Sequence, residues 1–142
     1  MPFDKKRTVS MFDERTALGW TQNLEVRALL APFIPANQWT SLTQFEELTA
    51  AALTDLLRVA PRWLKNERQN GSPTMGEFEL LGRLYPGMTY FGYVVGPDRN
   101  DERVSIEGCY LPETDLDEEL RGVLSEADEW DLTDGRWRAG WD

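Results

Sequence analysis

The chain has 142 residues, a net charge of −10, one cysteine and no histidine. Without histidine there is no imidazole base, no Ser-His-Asp or Cys-His triad and no histidine-bearing metal site. A single domain is expected at this length, with no internal disulfide; no apolar run approaches the ~18–20 residues of a membrane span, and Lys5, Lys6 and Arg7 precede no apolar stretch of the signal-peptide kind, so a cytoplasmic protein is expected.

Residues 1–15 are polar and charged and are expected to be flexible, with 8–12 a candidate edge strand. Leu24, Arg27 and Ala28 suggest a short helix over 21–31, ended by Pro32 and Pro35. The longest helix is expected at 42–60. Ser41 and Gln44 have the spacing of a capping box, and Leu42, Phe45, Leu48, Ala52, Leu53, Leu56 and Val59 recur every three or four positions before Pro61. Phe45, Leu48, Leu53 and Leu56 should be buried against a sheet. Residues 66–71 read as a loop. Ser72 and Pro73 can start a further helix carrying Met75, Phe78 and Leu81 on one face; alternation of Phe78, Leu80 and Leu84 keeps a strand open there, but the helix is favoured.

Residues 88–95 are aromatic and β-branched, 103–111 alternate, and the intervening 96–102 are turn formers, which together predict an antiparallel hairpin. Phe91, Val94, Val104 and Ile106 should be buried, with Val104, Ile106 and Tyr110 sharing a face. The first strand is apolar on both faces, so it should lie inside the sheet and be covered twice. Gly92 and Gly108 interrupt the strands and mark a bulge or a close approach. Thr114 can cap a helix over 115–124, with Leu116, Leu120, Val123 and Leu124 as its apolar stripe. Asp134-Gly135 is the preferred centre of a type I′ turn, which would pair Thr133 with Arg136, Leu132 with Trp137, and Asp131 with Arg138 as an ion pair. The fold class is α+β: a small antiparallel sheet built on the 88–111 hairpin, packed by three to four helices in one domain.

The charge is uneven. Residues 1–112 hold 14 acidic and 12 basic residues, a net of −2, whereas 113–142 hold 11 acidic and 3 basic, a net of −8, along with three of the six tryptophans. Acids in the first turn of the 115–124 helix suit its dipole, with an anionic recognition surface or a cation site as the functional alternative. The second run, from Glu126 to Asp134, is not covered by that account. A calcium loop is excluded, because with Gly135 at the sixth position the first ligand would be Trp130. The many carboxylates could supply an acid–base pair, but spacing selects none. Trp130 and Trp137 can plug the core or anchor a partner; Trp141, one residue from the last, is expected to be exposed. Cys109, within a strand, is expected to be a small buried hydrophobe.

The expected function is a non-enzymatic interaction module that meets a basic protein through Asp117, Glu118, Glu126, Asp128, Glu129, Asp131 and Trp141. The partner could itself be nucleic-acid-binding, with this chain as an inhibitor that imitates nucleic acid. No cofactor, metal, membrane or direct nucleic-acid partner is expected, since a polyanionic surface repels both of the latter. The alternatives are a carboxylate-dependent hydrolase or metal-assisted enzyme, and a structural subunit that oligomerises through a sheet edge.

Overall fold

In the computed structural model, residues 19–35 and 38–142 are described. The candidate edge strand at 8–12 and the expected flexibility of 1–15 lie outside those residues. The elements run α1 (Leu24–Leu30), β1 (Leu42–Thr49), α2 (Ala50–Val59), α3 (Met75–Leu84), β2 (Thr89–Val95), β3 (Arg103–Pro112), α4 (Glu118–Leu124), β4 (Glu129–Thr133) and β5 (Arg136–Gly140), with short 3-10 turns between. The fold is α+β, with one five-stranded antiparallel sheet in the order β1-β2-β3-β5-β4.

The hairpin of β2 and β3 lies at the middle of the sheet, as the sequence predicts, and Phe91, Val94, Val104 and Ile106 are buried. Its register slips between Phe91 and Gly92, so Glu107 is an extra residue in β3. The slip reverses the alternation beyond it. Val104 and Ile106 face the core before the bulge, and Cys109 and Leu111 after it. Tyr110 therefore stands on the opposite face from Ile106, against Phe91, which corrects the expectation of one face for all three. Gly92 is opposite the bulge; a methyl there would collide with the Ser105 carbonyl.

The expected helix at 42–60 is instead a strand followed by a helix. Residues 42–49 pair with β2, with Thr43 opposite Val94, Phe45 opposite Gly92 and Leu48 opposite Tyr90. A second bulge between Phe45 and Leu48 puts both on the core face although they are three apart, which is how a strand presents helical spacing. Glu47 takes a left-handed φ of 59° there. Ser41 caps nothing; Thr49 caps α2 by accepting from Ala52 N. Phe45, Leu48, Leu53 and Leu56 are all fully buried, so the side chains are placed as expected although half of the backbone is not.

Two other helix starts shift. Helix α3 is capped by Thr74, in a capping box with Glu77, rather than by Ser72. Helix α4 is capped by Asp117, three residues after the expected Thr114, because 113–115 form a 3-10 turn. All four α-helices among the described residues pack on one face of the sheet, where Val26, Leu53, Phe78 and Leu120 share a core with Tyr90, Val104 and Ala139. The buried Tyr90 hydroxyl donates to the Phe78 carbonyl at 2.6 Å. Among the described residues no helix is long and apolar enough to cross a membrane.

Candidate functional site

The acidic segment begins at the 3-10 turn, continues through α4 and ends in the β4–β5 hairpin. The hairpin register is the predicted one: Thr133 faces Arg136, Leu132 faces Trp137 and Asp131 faces Arg138. Asp134 and Gly135 carry the positive φ values, 54° and 78°, that a type I′ turn requires. Glu113 N donates to the Gly135 carbonyl at 2.9 Å, which brings Glu113 beside the hairpin tip and Asp134. At the other end Asp142 N donates to Asp128 Oδ2 at 2.7 Å. The hairpin is thus bracketed by carboxylates at both ends.

The seven residues singled out from sequence separate here. Asp117 is the N-cap of α4, accepting from Leu120 N at 2.8 Å and from the Tyr85 hydroxyl at 2.8 Å. The Leu120 amide, then Tyr85, hold its carboxyl below the usual aspartate range. Asp128 holds the Asp142 amide, and Asp131 accepts from the Thr133 hydroxyl. Arg138 binds Glu129 at 2.7 Å rather than Asp131, its direct cross-strand neighbour, so the expected ion pair is displaced by two residues. Glu118 and Glu126 are exposed.

Trp141 contradicts its expected exposure. It is 4% exposed, packs edge-to-face on Phe78 at 5.9 Å, and its backbone N–H donates to the Glu107 carbonyl. That bond extends the β3–β5 ladder by one residue and draws the indole under the helices. Trp130 and Trp137 are half-buried and stacked, with centroids 4.4 Å apart and planes within 7°. Arg121 of α4 lies over Trp137 at 5.8 Å.

Of the acids in 113–142, Glu129 alone has an ion-pair partner among the described residues. Its partner is Arg138, and the other two arginines of this segment are engaged otherwise. Arg121 lies on Trp137, and Arg136 makes two 2.9 Å bonds to Glu47 of β1.

Sequence reasoning missed the helix-free face of the sheet. There Arg103 lies over Tyr93, Arg138 over Phe91 and Arg136 over Tyr110, and each guanidinium is also held by a carboxylate: Asp101, Glu129 and Glu47 respectively. These side chains form the second cover of β2 that its two apolar faces imply. The bulge at 46–47 turns Glu46 and Glu47 onto this face, where they reach Tyr110 and Thr89. The signal for it was the alternation of arginine and aromatic residues on single strand faces, legible only once the bulges fix the phase.

An open cavity of about 520 Å³ on this face is lined by Gln44, Tyr93, Arg99, Arg103 and Glu107. Burial, reinforced by Asp142, pushes the Glu107 carboxyl above its usual range. A second cavity, about 420 Å³, lies between α3 and α4 with Trp141, Leu80 and Val123 in its wall. The loop at 96–102 is paired within itself only in part. Arg99 and Arg103 pair with Asp101, but Glu102 turns inward and accepts from Gly19 N, Thr21 N and the Thr21 hydroxyl. Cys109 is sealed in the core, where burial pushes its thiol up to about 12. It therefore keeps its proton at neutral pH.

Among the described residues no group of three or more Cys, Asp or Glu is arranged to hold a metal ion. Comparison with protein families, curated proteins and solved structures finds no match to this chain.

Proposed function

We propose that the protein is an interaction module whose acidic α4–β4–β5 segment binds a basic protein in the cytoplasm, without catalysing a reaction. The observation that supports this most is the unneutralised charge. Ten of the eleven acids in 113–142 have no ion-pair partner among the described residues; of the hairpin's two arginines, Arg138 neutralises Glu129 and Arg136 is committed to Glu47 of β1. Charge of one sign concentrated in one segment steers an oppositely charged partner and makes association salt-sensitive. A partner whose basic groove takes nucleic acid would be inhibited by such a segment, because both ligands offer repeated negative charge. Trp141 leaves the set of contact residues, since its indole is buried.

The test is capture from a lysate of the native host, at low and high salt, with the wild-type chain and with Asp128→Lys/Glu129→Lys/Asp131→Lys, read by mass spectrometry. A basic protein retained by the wild type at low salt, released at high salt and not retained by the variant is the expected result. Identical capture by both chains refutes the proposal.

Glu107 favours one second reading, carboxylate-dependent chemistry in the 520 Å³ cavity beside Tyr93 and Arg103. A raised carboxyl in a concavity is what a general acid needs. Any turnover found for this protein that survives Glu107→Gln would remove that reading.

A further inference from the structure

We infer that the outer edge of β4 accepts an extended basic segment of the partner protein as a sixth strand of the sheet. This rests on the proposal of a basic partner and adds how that partner is gripped.

The ladder fixes which backbone groups face outward. Trp141 N–H donates to the Glu107 carbonyl and the Gly135 carbonyl accepts from Glu113 N, so the odd-numbered residues of this stretch point to the β3 side. The even-numbered Arg136, Arg138 and Gly140 therefore point to β4, where they face Thr133, Asp131 and Glu129. Antiparallel pairing alternates, which leaves the N–H and C=O groups of Trp130 and Leu132 directed away from the sheet. Strand β4 is terminal in the strand order, and among the described residues no hydrogen bond reaches that edge.

The two edges of the sheet differ. Strand β1 is broken by its bulge between Phe45 and Leu48, a common way of spoiling an edge. Strand β4 runs in unbroken register over five residues, with no proline and no bulge. Among the described residues its only protection is charge, the unpaired Asp131 beside a Glu129 held by Arg138. Glu129, Asp131 and Thr133 lie on one face, while Trp130 and Leu132, the latter 43% exposed, lie on the other.

Charge also decides the occupant. A second copy of this chain paired along the same edge would bring carboxylates beside carboxylates, and like charges directly opposite are destabilising. A segment alternating basic with apolar residues meets the unpaired Asp131, beside the Arg138-held Glu129, on one face and Trp130 and Leu132 on the other. Main-chain bonds then give affinity and the alternate side chains give selectivity.

The experiment uses the full chain and a capped peptide of about nine residues, alternating lysine with valine and long enough to span β4. The control peptide replaces lysine by glutamate. Amide hydrogen exchange is followed by NMR. The lysine peptide should slow exchange at the Trp130 and Leu132 amides, whereas the glutamate peptide should not. Leu132→Pro removes an outward donor without altering charge or the β4–β5 bonds, and should weaken the lysine peptide about tenfold. The wild-type exchange pattern needs no variant, so a misfolded Leu132→Pro chain would not spoil the test. Salt-sensitive binding that leaves both amides unprotected overturns strand addition while the acidic-segment proposal stands. No binding of the lysine peptide overturns strand addition too, and the capture experiment then judges the acidic segment separately. A concentration-dependent dimer with those amides protected would replace the partner by a second copy.

Discussion

Single inserted residues decide what this sheet can present. Glu107 in β3 and the pair Glu46–Glu47 in β1 are bulge residues, and each turns a carboxylate onto the helix-free face while keeping Ile106, Cys109, Phe45 and Leu48 in the core. Glu47 and Glu107 respond to pH with opposite sign. The Arg136 hydrogen bond holds Glu47 below the usual glutamate range, so its contribution to stability is present above the unfolded value near 4.5 and is lost as pH falls through the lower folded value. Burial holds Glu107 above that range, so the folded chain keeps its proton longer than the unfolded one. Ionised Glu107 therefore costs stability at neutral pH, and the cost disappears as pH falls through the raised value. Glu107→Gln should raise the urea midpoint at neutral pH and leave it nearly unchanged near pH 4, whereas Glu47→Gln should lower it at neutral pH.

The glycines divide the same way. Gly92→Ala drives a methyl into the Ser105 carbonyl and should cost about 3 kcal/mol or more. Gly122, inside α4 with open space where its Cβ would be, should gain about 0.5–1 kcal/mol on replacement by alanine. Denaturant unfolding of the two variants checks both. A neutral Gly92→Ala would mean that the backbone approach is looser than described.

At the level of elements, the readable parts were those in which local pattern and tertiary pairing agree. The β2–β3 hairpin and the Asp134-Gly135 turn are at the expected places because alternation and turn chemistry specify them without help from elsewhere. Residues 42–49 misled because a bulged strand puts Phe45 and Leu48 three apart on one face, which in sequence is the mark of a helix. Nothing local distinguishes the two; pairing with β2 does. The arginine–aromatic layer was illegible for the same reason, since its phase depends on both bulges. Trp141 was misjudged from its nearness to the last residue, although the ladder bond to Glu107 carries the chain onward under α3. Trp141→Ala should accordingly cost about 3–5 kcal/mol of stability, as for a buried aromatic. Leu53→Ala in α2, fully buried, should cost about 2–5 kcal/mol. Weakened partner binding by Trp141→Ala at unchanged stability would contradict the core assignment.

Across the whole molecule the sheet separates two roles. One face carries the helices and the continuous core; the other carries arginines neutralised in place by Glu47, Asp101 and Glu129. The net charge is left to the acids around α4 and the last hairpin, and these were legible from composition because charge needs no fold to be counted. Their spatial meaning was not legible. Asp117 and Asp128 proved to be caps and clamps as well as charges, and the free edge of β4 emerged only from the strand order. If the acidic segment exists to recruit a basic partner, long-range attraction should govern encounter more than dissociation, since exposed charges are screened beyond about 8 Å at physiological ionic strength. The direct measurement is the association rate constant with the captured partner across a salt series. The account predicts a rate that falls steeply with ionic strength for the wild type and only weakly for Asp128→Lys/Glu129→Lys/Asp131→Lys; a wild-type rate independent of salt would contradict it.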